Sequence, residues 1–347
     1  MTGIGMIGYG YWGPQIARNF AELDSARLVA VCDCDEERLA LARTRYPGVR
    51  CVTDVAELIG DANIDAVVIA TPASSHFKLA RACITAGKHV LVEKPLATSS
   101  EQARALVRAA SVNRRILLVD HTYLYSNAVQ AIAATLAHNE LGEIYYYDSV
   151  RINLGRFRSD VDVLWDLASH DLAILDYLFD DAPTSLQAAG FLHAPQEPCS
   201  LAYLTLRWGR RRIAQIHVSW LAPGKIRRTL IGGNRGMIVY DDLDPDTKLR
   251  IYDHSIAGVD PPGVGLDGSL QWRIGYRTGE MRAPLLAISE PLRGLAEHFI
   301  ACIVDGHQPR SDGESGVRVV SWLEAAHRSL ELGGVPVDLD DGQENPG

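Results

Sequence analysis

Three groups of residues combine types and spacings suited to chemistry. Gly8-Tyr9-Gly10-Tyr11-Trp12-Gly13 fits G-x-G-x-x-G between an apolar run and a helical pattern, and Asp33 ends the next apolar run, 20 residues beyond Gly13. Glu93-Lys94-Pro95 closes the apolar run His89–Glu93 with a carboxylate and an ammonium side by side. Asp166 and His170 stand four apart in Trp165-Asp166-Leu167-Ala168-Ser169-His170-Asp171, a spacing that puts both on one face of a helix.

The glycine turn suits a pyrophosphate. Gly8 permits a tight turn, Gly10 lets backbone N–H groups approach an anion, and Gly13 lets helix and strand pack closely. The helix N-terminus favours the negative charge. Tyr11 and Trp12 complete the turn. The Asp33 carboxylate can accept hydrogen bonds from both adenosine ribose hydroxyls and would repel a 2′-phosphate. The expected cofactor is therefore NAD, with NADP less favoured and Arg38 positioned to soften the preference.

Thr71, Pro72, Ser75 and His76, in Ala70-Thr71-Pro72-Ala73-Ser74-Ser75-His76, follow a third strand pattern. Loops at the carboxyl ends of parallel strands face the ligand crevice, so they are expected along the cofactor. His76 either caps the next helix or reaches the nicotinamide. Glu93 and Lys94 end a strand in the same crevice. The plain alternative for them is an exposed salt bridge beside a turn proline. For Asp166 and His170 it is a contact on a solvated helix face.

Elements must position these groups. Strand patterns at 3–8, 27–32, 65–70, 89–93 and 115–119 alternate with helical patterns at about 13–23, 35–46, 54–59, 75–86 and 99–113. Near-continuous apolar strands between helices predict an α/β fold with a doubly wound parallel sheet covered on both faces. Beyond Tyr123 the pattern changes. Helices at about 126–139 and 161–180 flank a strand at 143–152. Alternating runs then follow at 185–193, 201–208, 212–221, 225–232 and 236–240. They predict an α+β region with an open, mainly antiparallel sheet. Residues 255–284, rich in Gly and Pro, are expected to form a long loop before helices at about 290–305 and 313–332. The expected domains are 1–122, 123–340 and a flexible tail at 341–347.

The composition is that of an ordinary soluble protein. The 347 residues are 47% hydrophobic and 22% charged, with a net charge of −9. The longest basic block is Arg210-Arg211-Arg212, so nucleic acid is not an expected partner. No apolar run approaches the roughly 20 residues of a membrane helix, and no signal-peptide pattern opens the chain. The six cysteines contain no C-x-x-C pair. They read as reduced thiols of a cytoplasmic protein, and no zinc-ligand spacing occurs, so no metal is expected.

In order, GYGYWG, ATPASSH, VEKP and the D-x-x-x-H of WDLASHD resemble the Gfo/Idh/MocA oxidoreductases, the glucose–fructose oxidoreductase and inositol dehydrogenase family. The resemblance runs from residue 3 to about 330. It implies a Rossmann domain followed by an open α/β domain whose large sheet often mediates oligomers, here a homodimer or homotetramer. It also implies that Lys94, Asp166 and His170 surround the reactive carbon of a sugar or cyclitol, and that the Lys94–Pro95 bond is cis. His121-Thr122-Tyr123-Leu124-Tyr125 and WDL-x-x-HD resemble members acting on nucleotide-linked or antibiotic sugars, often at C3. His121 is assigned to the cofactor. Tyr125, Asn153 and Arg156 are assigned to the substrate, with a core or hinge role the alternative for His121 and Tyr125. Arg158 reads as part of a solvated loop.

The expected chemistry is hydride exchange between nicotinamide and a secondary hydroxyl or ketone. His170 is the better base, with a reference pKa of about 6.5 against about 10.4 for lysine. Lys94 suits stabilisation of the developing alkoxide and becomes a base if its surroundings depress its pKa. Glu93 would orient Lys94, and Asp166 would hold His170 or a neighbouring hydroxyl. Two alternatives share these residues: an NAD-dependent glycosidase using transient oxidation, and a non-catalytic NAD(H)-binding regulator.

Overall fold

The computed structural model describes residues 1–155, 161–192, 198–264 and 270–339. The first 121 residues build six strands and five helices in alternation. They are β1 (Thr2–Ile7), α1 (Gly13–Ala21), β2 (Ala26–Cys32), α2 (Glu36–Arg45), β3 (Arg50–Val52), α3 (Val55–Ile59), β4 (Ala66–Ile69), α4 (Ala73–Thr85), β5 (His89–Glu93), α5 (Ser100–Asn113) and β6 (Leu117–Asp120). The strands pair in parallel in the order β3-β2-β1-β4-β5-β6. The order reverses at β1, so β1 and β4 flank the switch point at which doubly wound sheets bind ligands.

Every residue of β1, β4 and β6 is buried, which explains their mainly apolar character. Each fully buried Val, Leu or Ile contributes about 1.5–3 kcal/mol. Local signals set the helix starts. Asp35, Asp54 and Ser99 accept N-cap hydrogen bonds from Glu37, Ala56 and Gln102. The short strand β3 carries only three residues and was not among the expected strands.

The rest of the chain forms a 3₁₀ turn (Thr122–Tyr125), α6 (Asn127–Ala137), β7 (Ile144–Leu154), a π-helical turn (Leu164–Ala168), α7 (Ser169–Leu178), β8 (Ser185–Leu192), β9 (Cys199–Trp208), β10 (Arg212–Ser219), β11 (Leu221–Gly233), β12 (Met237–Asp241), β13 (Leu249–Tyr252), β14 (Ser255–Val264), β15 (Leu270–Arg277), β16 (Met281–Arg282), α8 (Pro291–Val304), α9 (Gly313–Glu331) and β17 (Val337–Asp338). A nine-stranded sheet runs β16-β13-β12-β11-β7-β10-β9-β8-β17. All its pairs are antiparallel except β10 with β7. The alternating burial along β9 matches a sheet with one covered face.

One expectation needs correction. The long loop expected at 255–284 contains an antiparallel hairpin, β14 with β15, and the edge strand β16. Glycines and prolines hid the strands, yet Pro261 and Pro262 fall within a register shift between Asp260 and Gly263, where a missing N–H breaks no ladder bond. A domain boundary was expected at 122. The compact units are 1–127 with 172–177 and 288–324, and 128–171 with 178–287 and 325–347. The first unit reclaims α8 and most of α9 because α8 packs on α1 and the 3₁₀ turn, while Asp312 bridges to Leu118 at the edge of β6.

Candidate active site

In the first unit, the carboxyl ends of β1, β2, β4, β5 and β6 lie along one edge of the parallel sheet. The glycine turn follows β1. Gly8 has φ +93°, and a Cβ there would stand 2.5 Å from the Ala70 carbonyl oxygen. A Cβ on Gly13 would stand 2.4 Å from the Gly8 carbonyl oxygen. At Gly10 the nearest atom to a Cβ is Arg38 Nη1 at 3.4 Å, so backbone there is open to an incoming anion. Tyr11 and Trp12 are exposed and meet edge to face.

Asp33 follows β2 and is buried. Its Oδ2 accepts from the Tyr9 N–H at 2.6 Å and its Oδ1 from the Asp35 N–H at 3.0 Å. Each carboxylate oxygen has a second acceptor site, so ribose hydroxyls can still be held. Arg38 places Nη1 3.6 Å from Asp33 and Nε 3.3 Å from Asp35, bridging the two acids beside the turn. These features fit a dinucleotide: open backbone at Gly10, a helix start, and a fixed carboxylate at the next strand end.

The loop after β4 is tied internally. Thr71 Oγ1 and Ser75 Oγ are 2.6 Å apart, and Ser75 Oγ donates to the carbonyl of Pro72, the residue that starts α4. His76 is buried, with Nδ1 2.8 Å from the Pro95 carbonyl and Nε2 2.8 Å from the Thr71 carbonyl. A neutral imidazole donates to one of these, and burial pushes its pKa down. His76 thus braces the loop after β4 against the segment after β5. The Lys94–Pro95 bond is cis, as the resemblance implied.

The Lys94 charge acts on Glu93, Asp120 and His121. Glu93 and Asp120 are register neighbours at the ends of β5 and β6. Glu93 Oε2 accepts from the Lys94 backbone N–H at 2.9 Å, and Asp120 Oδ1 accepts from Thr122 Oγ1 at 2.5 Å. Desolvation and then the Asp120 charge push Glu93 well above the ordinary carboxyl range, against the pull of the Lys94 ammonium. Desolvation raises Asp120 to about 6. His121 is buried, and desolvation, then the Lys94 charge, lower it to about 3, so its imidazole is neutral. Among the described residues neither His121 nitrogen meets a hydrogen-bond partner. Two orphaned buried nitrogens beside the lysine suit a ligand's polar groups. Tyr125 is buried, its hydroxyl 3.0 Å from Ser311 Oγ, which in turn donates to the Val119 carbonyl. That places Tyr125 in a packing role against His298 and Arg310.

In the second unit, Asp166 lies in the π-helical turn and His170 in the first turn of α7. The helix expected over 161–180 thus begins as a π turn, whose i→i+5 bonds change the simple four-residue facing relation. Such turns recur at functional sites. Asp162 starts it, accepting from the Leu164 and Trp165 N–H groups at 3.0 Å each. Asp166 Oδ2 accepts from Trp220 Nε1 at 3.0 Å. The buried Trp220 ring lies so close to Gly155 that a Cβ there would stand 2.5 Å from it. Beside His170, buried Asp171 accepts from Arg151 Nε at 2.6 Å and Ser149 Oγ at 2.5 Å, anchoring α7 to β7. Asn153 lies near the end of β7 and is half-buried. Arg156 and Arg158 lie outside the described residues.

The structure therefore assembles Glu93, Lys94 and His121 in one unit and Asp166 with His170 in the other. Asp120, Asp171 and Trp220 were missed. Asp120 directly follows the strand expected at 115–119 and was given no role, and Asp171 was quoted in the motif without a role. Trp220 lies 54 residues from Asp166, and nothing local links them.

A parallel sheet with a glycine turn, a strand-end acid and a half-buried lysine at another strand end defines an NAD-binding oxidoreductase. Residues 2–121 match the oxidoreductase-family model with an NAD-binding Rossmann fold, and residues 129–239 match the GFO/IDH/MocA C-terminal domain. The chain belongs to the GFO/IDH/MocA oxidoreductase family. It is 31% identical to the uncharacterized oxidoreductase YdgJ of Escherichia coli (strain K12), over 71% of this chain and 72% of that protein. It is 31% identical to inositol 2-dehydrogenase 1 of Mycolicibacterium vanbaalenii, over 70% of this chain and 73% of that protein. UDP-N-acetylglucosamine 3-dehydrogenase of Acidithiobacillus ferrooxidans is 29% identical over 91% of this chain and 93% of its own length. Its solved structure superposes with a TM-score of 0.81 and 26% identity, covering 95% of this chain and 98% of that one. Among the described residues no helix is long and apolar enough to cross a membrane.

Proposed function

We propose that this chain is an NAD-dependent dehydrogenase that oxidises a secondary hydroxyl of a sugar, a nucleotide-linked sugar or a cyclitol to a ketone, or runs the reverse reaction. The observation that carries the reading is Lys94 just beyond the carboxyl end of β5, on the same sheet edge as the glycine turn, with its charge acting on Glu93, Asp120 and His121. A relative named for 3-dehydrogenation of UDP-N-acetylglucosamine, aligned over most of both chains, supports C3 of a nucleotide-linked sugar as the first substrate to try.

NAD, when bound, supplies the hydride acceptor. The substrate C–H bond breaks with both its electrons, the O–H bond gives its proton to His170, and a C=O bond forms. Lys94 donates a hydrogen bond to the oxygen as negative charge develops on it. Asp166, held by Trp220, orients a neighbouring hydroxyl or the His170 ring. His121 and the Thr71–Ser75 loop face the cofactor, and Asn153 contributes to substrate binding. Asp33 favours NAD over NADP. We also propose a homo-oligomer formed through the nine-stranded sheet, supported by exposed Tyr145 and by exposed Tyr203 stacked on His217. Light scattering tests that.

The deciding experiment is a screen of UDP-N-acetylglucosamine, other nucleotide sugars, free sugars, aminoglycoside-type glycosides and inositols with NAD and NADP, reading NADH or NADPH absorbance. Net NADH formation with one of these compounds supports the reading. Substrate consumption with NAD retained and no net NADH would replace it with the glycosidase alternative. Tight NAD binding with no turnover of any compound would leave only a cofactor-binding role.

A further inference from the structure

The π turn that carries Asp166 is pinned by one residue. Asp162 Oδ1 accepts from the Leu164 and Trp165 N–H groups at 3.0 Å each, and the Asp162 main-chain carbonyl accepts from the Asp166 N–H at 3.0 Å. A carboxylate accepts N–H groups more strongly than a neutral carboxyl does, so the turn is held best while Asp162 is ionised. Asp162 is buried, and burial works against that charge. Its second oxygen, Oδ2, stands 3.4 Å from His327 Nδ1 of α9, within ion-pair range. The His327 ring is half-exposed, yet Nδ1 itself is buried and makes no hydrogen bond among the described residues. Ser329, two residues on, fixes that end of α9. Its hydroxyl donates to the Val335 carbonyl at 2.7 Å and accepts from the Ala188 N–H of β8 at 2.8 Å.

We propose that His327 is a positioning residue for the substrate part of the site, holding the π turn and Asp166 in place through the second oxygen of Asp162. The proposal rests on the reading of Asp166 as a group that orients a substrate hydroxyl or His170. An imidazole gains its charge on acidification. A charged ring 3.4 Å from Oδ2 favours the ionised cap. Burial raises Asp162 above the ordinary carboxyl range, against the pull of the Trp165 N–H and then of His327. The ring therefore acts in the range where the cap would otherwise begin to take up a proton. Cys199 of β9 also feels the Asp162 charge. It is buried, its thiol is raised by burial first and by Asp162 next, and its Sγ donates to the Leu201 carbonyl at 3.1 Å, so it stays uncharged. Among the described residues, His327 is thus the titratable group that can answer the Asp162 charge with an opposite one.

The test compares the wild type with His327→Phe, which keeps a ring without the charge, with His327→Gln and with Asp166→Asn. Without His327, Asp162 takes up its proton at higher pH. The acid-side fall of kcat/KM for UDP-N-acetylglucosamine should therefore begin at higher pH in both His327 variants, while the alkaline values match the wild type. At about pH 6.5, the ordinary imidazole value, the loss should be roughly threefold to tenfold, the size of a weakened helix cap. NAD affinity by calorimetry at the same pH should change by less than about twofold, because the glycine turn is untouched. Amide hydrogen exchange at that pH should speed up over residues 162–170 and stay the same over residues 2–20. An acid-side fall that does not move, or exchange over 162–170 that does not change, overturns the proposal. A parallel loss of NAD affinity also overturns it, since that marks a general destabilisation. If His327→Phe does not fold, His327→Gln decides. If the wild type does not oxidise UDP-N-acetylglucosamine, the exchange comparison decides. Full turnover in Asp166→Asn would sink the reading of Asp166 instead, and leave the exchange result standing.

Discussion

Trp220 donates its indole N–H to Asp166 across 3.0 Å, from the start of β11 to the π turn before α7. The indole can only donate and the carboxylate can only accept, so the bond fixes one Asp166 oxygen. Trp220→Phe keeps the ring packing against Gly155 and removes the donor. A hydrogen bond to a charged group contributes about 1.5–3 kcal/mol. We expect kcat/KM to fall roughly tenfold to a hundredfold, with the melting temperature little changed. Unaltered steady-state kinetics would remove Asp166 orientation from Trp220's role.

Lys94→Met keeps the length and apolar stem of the side chain without its charge. Turnover should fall by about 10²–10³, the range for loss of one donor to a developing oxyanion. Because the glycine turn is untouched, NADH binding followed by fluorescence should change little. Retained turnover would refute Lys94's assignment.

Asp171 is buried, accepts from Arg151 and Ser149, and stands next to His170. Asp171→Ala removes the carboxylate paired with the buried Arg151 guanidinium. Breaking a buried pair in this way costs about 3–5 kcal/mol. Chemical denaturation should show that loss, and a change below about 1 kcal/mol would show that the pair contributes little.

Acid should act through His121. Its pKa is about 3 in the folded chain against about 6.5 unfolded, so the unfolded state binds the extra proton as pH falls below 6.5. This group alone removes stability on acidification from about pH 6.5 towards 3, at up to roughly 1.4 kcal/mol per pH unit. Asp120 works in the opposite direction. Its folded pKa of about 6 lies above the unfolded value of about 3.9, so the stability it contributes is complete below 3.9 and is lost as pH rises through 6. His121→Gln removes only the first effect. The stability of wild type minus variant should therefore decline as pH drops below 6.5, and a flat difference across that window would contradict a buried neutral His121.

Gly13→Ala would drive a methyl to 2.4 Å from the Gly8 carbonyl. Either the turn opens or α1 withdraws, and such overpacking costs about 1–3 kcal/mol. NAD affinity should fall with stability. Calorimetric titration showing normal NAD binding would mean that the turn does not hold the pyrophosphate.

Much of this was legible in residue order because the signals are local. The glycines, Asp33 and Glu93-Lys94-Pro95 lie at the ends of apolar runs, and parallel pairing puts such ends on one edge wherever the strands are buried. The antiparallel character of the second sheet could be read from period-two alternation, although the parallel β10–β7 pair within it could not. The hairpin in 255–277 was obscured because glycine and proline mark loops statistically, while backbone pairing decides strands.

The sequence by itself determined the parallel sheet and the glycine turn, each fixed by hydrophobic period or by spacing within a few residues, whereas the roles expected of Lys94, Asp166 and His170 came from the family resemblance. Tertiary structure alone decided that Asp120 lies against Glu93, that Trp220 reaches Asp166 and that Asp171 grips Arg151. Those contacts join residues 20 to 54 positions apart, and strand register and burial, which no local pattern encodes, bring them within hydrogen-bonding distance.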